Sequence, residues 1–247
     1  MKTVGLLGGM SWESTASYYR LINEAVRDRL GGLHSARLLL YSVDFEQIAR
    51  LQRAGDWAAA GTMLARSART LESAGADCVV VCTNTMHVVA DEIESAIAIP
   101  LLHIADATAA AVKDAGHSTV GLLGTRFTME QDFYRERLER HHGLKVLTPG
   151  EDDRKAVHRI IFDELCVGRI VPESRERYQQ VIARLADQGA EAVVLGCTEI
   201  SMLVSPSDVD VPLFDTMQLQ ALRAADWALG ERDATQPQAS SALGACA

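Results

Sequence analysis

The apolar positions of this chain fall in short continuous runs separated by longer amphipathic stretches. Val4 to Leu7 is one such run, closed by Gly8-Gly9, and predicts a buried strand followed by a turn. Ser14 to Leu30 carries its charges at helical spacing, with Ser14 as the expected N-cap. Arg37 to Val43 predicts a second strand, and Trp57 to Gly75 an Ala-rich helix stopped by glycine. Between them, Asp44-Phe45-Glu46-Gln47 through Gln52-Arg53 reads as a loop reaching over the strand ends, its charges largely solvated. Cys78 to Cys82 is a fully apolar strand, and a helix near Asp91 to Ile97 leads to another strand at Pro100 to Ile104.

The second half keeps this rhythm. It predicts strands at Thr119 to Leu123, Lys145 to Leu147, Ala192 to Leu195 and Val211 to Phe214. Helices are expected at Thr128 to His142, Lys155 to Val167 and Pro172 to Gly189, and a last one, Met217 to Leu229, should pack back on the first half. Apolar strands alternating with amphipathic helices indicate an α/β fold with parallel sheets covered on both faces. Residues 231–247 lack a periodic apolar face and are expected to be disordered.

The halves also match residue by residue. Thr3-Val4-Gly5-Leu6-Leu7-Gly8 recurs as Thr119-Val120-Gly121-Leu122-Leu123-Gly124. The segment from Gly75 to Thr85 recurs from Gly189 to Glu199, and Ile99-Pro100-Leu101 as Val211-Pro212-Leu213. In this register Thr83 falls opposite Cys197, each at the carboxyl end of a buried strand. A pseudo-twofold molecule places such ends face to face across a cleft, where both can flank one small substrate.

Composition narrows the setting. A net charge of −9 disfavours nucleic acid and anionic membrane as partners, since both attract basic patches. No apolar run reaches membrane-spanning length, and the N-terminus leads straight into a strand with no room for a signal peptide, so a cytoplasmic location is expected. The five cysteines are odd in number and form no CxxC pair, which reads as free thiols. The seven histidines are scattered, and no metal site is expected.

Cys197 is the strongest candidate for chemistry. It lies between Gly196 and Thr198-Glu199 at a strand end, where helix-start amides would bring its thiolate toward neutral pH. Thr83-Asn84-Thr85 offers hydroxyls and an amide as a carboxylate cradle, matched by Thr198 on the other lobe. Cys82 alternates with Thr83 and should point into the core. Gly8-Gly9-Met10 lacks the spacing of a nucleotide loop but could hold a carboxylate on free amides. Met10 and Thr125 occupy equivalent places in the two halves and are expected to line the ligand, as are Gln52 and Glu199. For a second substrate carboxylate the candidates are Arg50, Arg53 and Arg126.

Four segments carry a resemblance: Gly8-Gly9-Met10-Ser11-Trp12-Glu13-Ser14-Thr15, Asn84-Thr85-Met86-His87, Leu122-Leu123-Gly124-Thr125 and Gly196-Cys197-Thr198-Glu199. Together they resemble the aspartate/glutamate racemase superfamily, particularly its aspartate racemase branch and a group of broad or L-aspartate/glutamate specificity. The resemblance runs from Met1 to about Gly230. It implies two pseudo-symmetric lobes, each a parallel four-stranded sheet flanked by helices, with the active site in the cleft between them. The first lobe would comprise 1–101 and 213–230, the second 102–212. It further implies an amino-acid substrate, no cofactor, and commonly a homodimer.

The family's usual mechanism sets one cysteine on each face of the substrate α-carbon. Its second cysteine carries over to Cys197, and its first, normally just before Asn-Thr, carries over to Thr83. The chain departs from the pattern there. An alkyl hydroxyl is a very poor base but can donate a proton, so Cys197 would deprotonate the L enantiomer and Thr83 protonate the opposite face. Two other readings stand beside this one: a one-cysteine diacid decarboxylase or cis-trans isomerase, and an amino-acid-binding protein weakened in catalysis.

Overall fold

The computed structural model describes residues 1–230, so the tail expected to be disordered, and Cys246 within it, lie outside the described residues. Two parallel sheets form the framework. The first contains β1 (Thr3–Gly8), β2 (Arg37–Ser42) and β3 (Cys78–Val81) in the order β2-β1-β3. The second contains β4 (Thr119–Gly124), β5 (Lys145–Leu147), β6 (Ala192–Gly196) and β7 (Leu213–Asp215) in the order β5-β4-β6-β7.

Helices cover both faces of each sheet. On the first, α1 (Trp12–Leu30) and α11 (Thr216–Leu229) enclose Val4, Leu6, Cys78 and Val80 on one side. On the other, α2 (Phe45–Ala54) and α3 (Trp57–Ser73) enclose Leu7, Val79 and Val81. On the second sheet, α8 (Glu151–Asp163) and α9 (Pro172–Asp187) bury Leu123, Val193 and Leu195. Its opposite face buries Val120, Leu122 and Val194 under α5 (Ile104–Asp114), α7 (Asp132–Glu136) and the wide turn Arg137–His141, while Met129 of the intervening α6 (Arg126–Glu130) packs on the α8 and α9 side. The short helices α4 (Ala90–Glu94) and α10 (Ile200–Leu203) follow the ends of β3 and β6.

The repeat is visible in the hydrogen bonds. Asp77 Oδ2 accepts from the Thr3 amide at 2.6 Å, and Glu191 Oε2 accepts from the Thr119 amide at 2.9 Å. Val79 N–H donates to Pro100 O at 2.9 Å, and Val193 N–H to Pro212 O at 2.8 Å. After that the halves diverge. Leu213–Asp215 continues as β7, whereas Leu101 makes a single bridge to Val79. The first sheet therefore has three strands, not the expected four: Gln220 Nε2 takes Leu102 O at 2.7 Å, and His103 caps α5 by accepting from Ala105 N–H. The strand expected through Ile104 thus becomes a helix start.

Several boundaries differ from expectation. Ser11, not Ser14, caps α1 and accepts from the Ser14 amide. The predicted helix Thr128 to His142 is interrupted at Gln131, whose ψ of 150° is extended. Asp44 to Arg53 is not a loop: Asp44 caps α2, Gly55 ends it at φ 70°, and Ile48 and Gln52 turn inward on one face. Hydrogen bonding also pairs Leu213–Asp215 with β6 of the second sheet, whereas the expected boundary at 213 put these residues with the first lobe.

Gly8 marks a tight approach beside the cleft, because a Cβ there would meet Thr15 Cγ2 at 2.3 Å. Gly8→Ala is expected to destabilise the protein by about 1–3 kcal/mol through overpacking, seen as a lowered urea midpoint.

Candidate active site

The carboxyl ends of β3 and β6 face one narrow cavity of about 40 Å³. Met10, Gln52, Thr83, Asn84 and Thr85 line it from the first lobe. Thr125, Cys197, Thr198 and Glu199 line it from the second. All nine site residues expected from the sequence are thus brought together. Ser11, Phe45, Ile161, Phe162 and Cys166 complete the wall. Phe45 belongs to the segment expected to reach over the strand ends, the Ile161-Phe162 pair lies in a stretch read as an amphipathic helix, and Cys166 sits in no motif.

Each side chain arrives by a local device. Gln52 follows Ile48 by one helical turn on α2 and donates to Met86 Sδ at 3.1 Å. Thr83 N–H is bonded to Val81 O at 2.9 Å, a tight turn at Cys82 that ends the strand. Cys82 falls in the core with Val4, Tyr18 and Val80, and burial pushes its thiol pKa up. Gly196 must be glycine for close packing: a Cβ would stand 2.8 Å from Leu123 O.

Contacts between the lobes run across this wall. Thr85 Oγ1 and Thr125 Oγ1 are 3.1 Å apart, and Ser11 Oγ donates to Glu199 Oε1 at 3.1 Å. Asn84 Nδ2 donates to Thr216 Oγ1 at 2.9 Å, and Thr216 Oγ1 donates to Leu195 O at 2.9 Å. Because the Thr216 proton is committed to Leu195, the hydroxyl must accept from Asn84, which fixes the amide orientation. Asn84 Oδ1 is buried and has no hydrogen-bond partner among the described residues. Asn84, which lines the cavity, therefore has an acceptor oxygen to spare beside the second N–H of its amide nitrogen.

Two further expectations are corrected. Gly9 N–H is occupied by Thr15 Oγ1 at 2.8 Å, so that amide of the glycine loop is not free for a carboxylate. Cys197 is not a ready thiolate. Its Sγ donates to Glu199 Oε2 at 2.9 Å, and burial together with the Glu199 charge pushes its pKa well up. Thr198 Oγ1 donates to the same oxygen at 2.8 Å. Cys166, in the wall near Glu199, is pushed up to about 12 by burial. The anion preference read from the sequence gives way to a carboxylate two residues on.

The cavity wall includes no lysine or arginine. Arg53 and Arg126 line an adjoining cavity of about 300 Å³ that shares Gln52 and Phe162, and Arg50 is exposed. Arg53 is paired with Glu46 at 2.6 Å, while Arg126 lies against the Phe127 ring. Among the described residues, no helix is long and apolar enough to cross a membrane.

A cleft between two parallel sheets flanked by helices accords with the wider comparison. The Asp/Glu/Hydantoin racemase family matches residues 7–224, and the chain belongs to that family. A crystal structure from Yersinia pestis, assigned to the Asp/Glu racemases, is 56% identical with a TM-score of 0.88, over 93% of this chain and 100% of that one. An aspartate racemase homologue from Pyrococcus horikoshii OT3 is 33% identical with a TM-score of 0.81, again over 93% and 100%. The broad specificity amino-acid racemase RacX of Bacillus subtilis is 23% identical over 216 residues, 86% of this chain and 92% of its own.

Replacing the Glu199 charge tests the electrostatics directly. Glu199→Gln, in a Cys166→Ser background, should lower the pH midpoint for iodoacetamide alkylation of Cys197. An unchanged or raised midpoint would contradict the assigned cause.

Proposed function

We propose that the protein is a cofactor-independent amino-acid racemase that transfers the α-proton between Cys197 and Thr83. The observation that carries this reading is the shared cavity: a thiol from β6 and a hydroxyl from the end of β3, on opposite lobes, at one small site. The lining includes no lysine able to form a Schiff base with pyridoxal phosphate, so the chemistry is assigned to these side chains.

The substrate ammonium would donate to Asn84 Oδ1, and the α-carboxylate would accept from the Thr85 and Thr125 hydroxyls. Glu199 takes the thiol proton along the 2.9 Å contact, and the Cys197 thiolate removes the α-proton of the L enantiomer. Carbanion charge spreads into the carboxylate, where the hydroxyl donors stabilise it. Thr83 then delivers its proton to the opposite face and is reprotonated from solvent, while Glu199 returns its proton to solvent. In reverse Thr83 must act as the base, so turnover is unsymmetrical, and compensating Michaelis constants keep the equilibrium ratio at that of mirror images.

Aspartate and glutamate follow from the family, while a wall with no lysine or arginine to demand a second substrate carboxylate supports a broader range of side chains, as in the Bacillus subtilis relative's description. The reading carries with it a cytoplasmic homodimer with no nucleic-acid or membrane partner.

In heavy water, conversion of L-aspartate, L-glutamate or L-methionine to the D form should bring one solvent deuteron to the α-carbon. Cys197→Ala should lower this by about 10²–10⁴-fold, and Thr83→Cys should raise activity toward the D enantiomer. Binding without deuterium entry would indicate a sensor, and fumarate from maleate or carbon dioxide from a substituted malonate would indicate the one-cysteine alternatives. Asn84→Leu should raise KM by about tenfold or more while Cys197 remains alkylatable, because a charge-assisted hydrogen bond is lost.

A further inference from the structure

The two facing groups are held by unlike means. The Cys197 carbonyl is held by a backbone amide, Ile200 N–H, at 3.2 Å. The Thr83 carbonyl is held by a side chain, the Nδ1 of His87, at 2.8 Å. His87 Nε2 accepts from Ile104 N–H at 3.3 Å, so Nδ1 carries the proton and donates to Thr83. The ring is buried, packs against His103 with centroids 4.4 Å apart, and is kept neutral by desolvation, its pKa lowered to about 4.

His87 does not line the cavity that holds Thr83 and Cys197; it borders a separate one beside Val88, Asp91, Phe133 and Arg137. It therefore cannot touch a substrate in the reaction cavity. With the amide of Thr83 tied to Val81 O and its carbonyl tied to the imidazole, both backbone polar groups of that residue are fixed. Through Ile104 the same ring reaches the first turn of α5, which packs on the second sheet. We infer that His87 is a positioning residue for Thr83: it aims the hydroxyl at the face opposite Cys197 and keys that aim to the placement of the second lobe. This rests on the racemase reading above.

The two faces separate experimentally with β-chloro-L-alanine. Removal of its α-proton by Cys197 expels chloride, an overall loss of HCl to 2-aminoacrylate, which hydrolyses to pyruvate and ammonia without a proton from Thr83. Racemisation of L-aspartate, L-glutamate or L-methionine needs both faces. His87→Ala is expected to lower racemisation by about tenfold to a hundredfold while pyruvate formation stays within about twofold of the parent. His87→Asn, which keeps an N–H donor near the Nδ1 position, is expected to restore most of the racemisation. It serves as the decisive variant should the alanine protein not fold. Equal loss of both activities in His87→Ala, or an Asn variant that folds and racemises no better than the alanine one, would overturn the proposal. A parent enzyme that forms pyruvate and D enantiomer sustains the racemase reading whatever the His87 variants do; formation of neither would remove both.

Discussion

Two hydrogen bonds in series, Asn84 to Thr216 and Thr216 to the Leu195 carbonyl, tie the end of the first sheet to the end of the second. The bonded groups are buried, where an unpaired polar group costs about 1–3 kcal/mol, so the arrangement is strongly specified. Thr216 opens α11, the helix that leaves the second sheet and packs on the first. The same residue thus sets the angle between the lobes and the orientation of the Asn84 amide. One hydroxyl acts on both the spacing and the chemistry of the cleft, beside the Thr85–Thr125 and Ser11–Glu199 contacts.

Around that tie the site combines strong asymmetry with a symmetric frame. The strands, the acidic side chains at their starts and the proline carbonyls repeat between lobes. The groups at the strand ends do not. One lobe ends in Gly196-Cys197, with its thiol bonded to a nearby carboxylate; the other ends in Cys82-Thr83, with its thiol turned into the core. A duplicated framework can keep its packing while the residues just past the last ladder pair diverge, because those residues face the cavity and leave the core untouched.

Much of this was legible in the sequence. Apolar runs located the strands because strands buried on both faces tolerate little else. The internal repeat located the cavity because equivalent strand ends meet across a pseudo-twofold axis. What was not legible depended on tertiary partners. Leu101 to Ile104 has the composition of a strand, yet Gln220, over a hundred residues away, takes the carbonyl a ladder would need. The Ala-rich α5 buries Ile104, Ala105, Thr108, Ala109 and Val112 on one face, but its start reads as the end of a strand, so no element is expected there from the sequence. Helix α2 did have its signals, an Asp cap and a closing glycine, but its charges drew the loop reading. The state of Cys197 could not follow from its position at a strand end, since burial disfavours the thiolate and the Glu199 carboxylate folds back against the sulfur, together outweighing the nearby amides.

The path of α11 has a consequence for dissection. Ala221, Ala224, Ala225 and Ala228 complete the core of the opposite lobe, and Lys2 N–H is bonded to Ala228 O. The polypeptide therefore closes on itself like a clasp, with its last helix donated back to its first strand. Severed between the repeats, the first fragment would lack these alanines and be left with an open interior, so the first lobe is completed only by the end of the second.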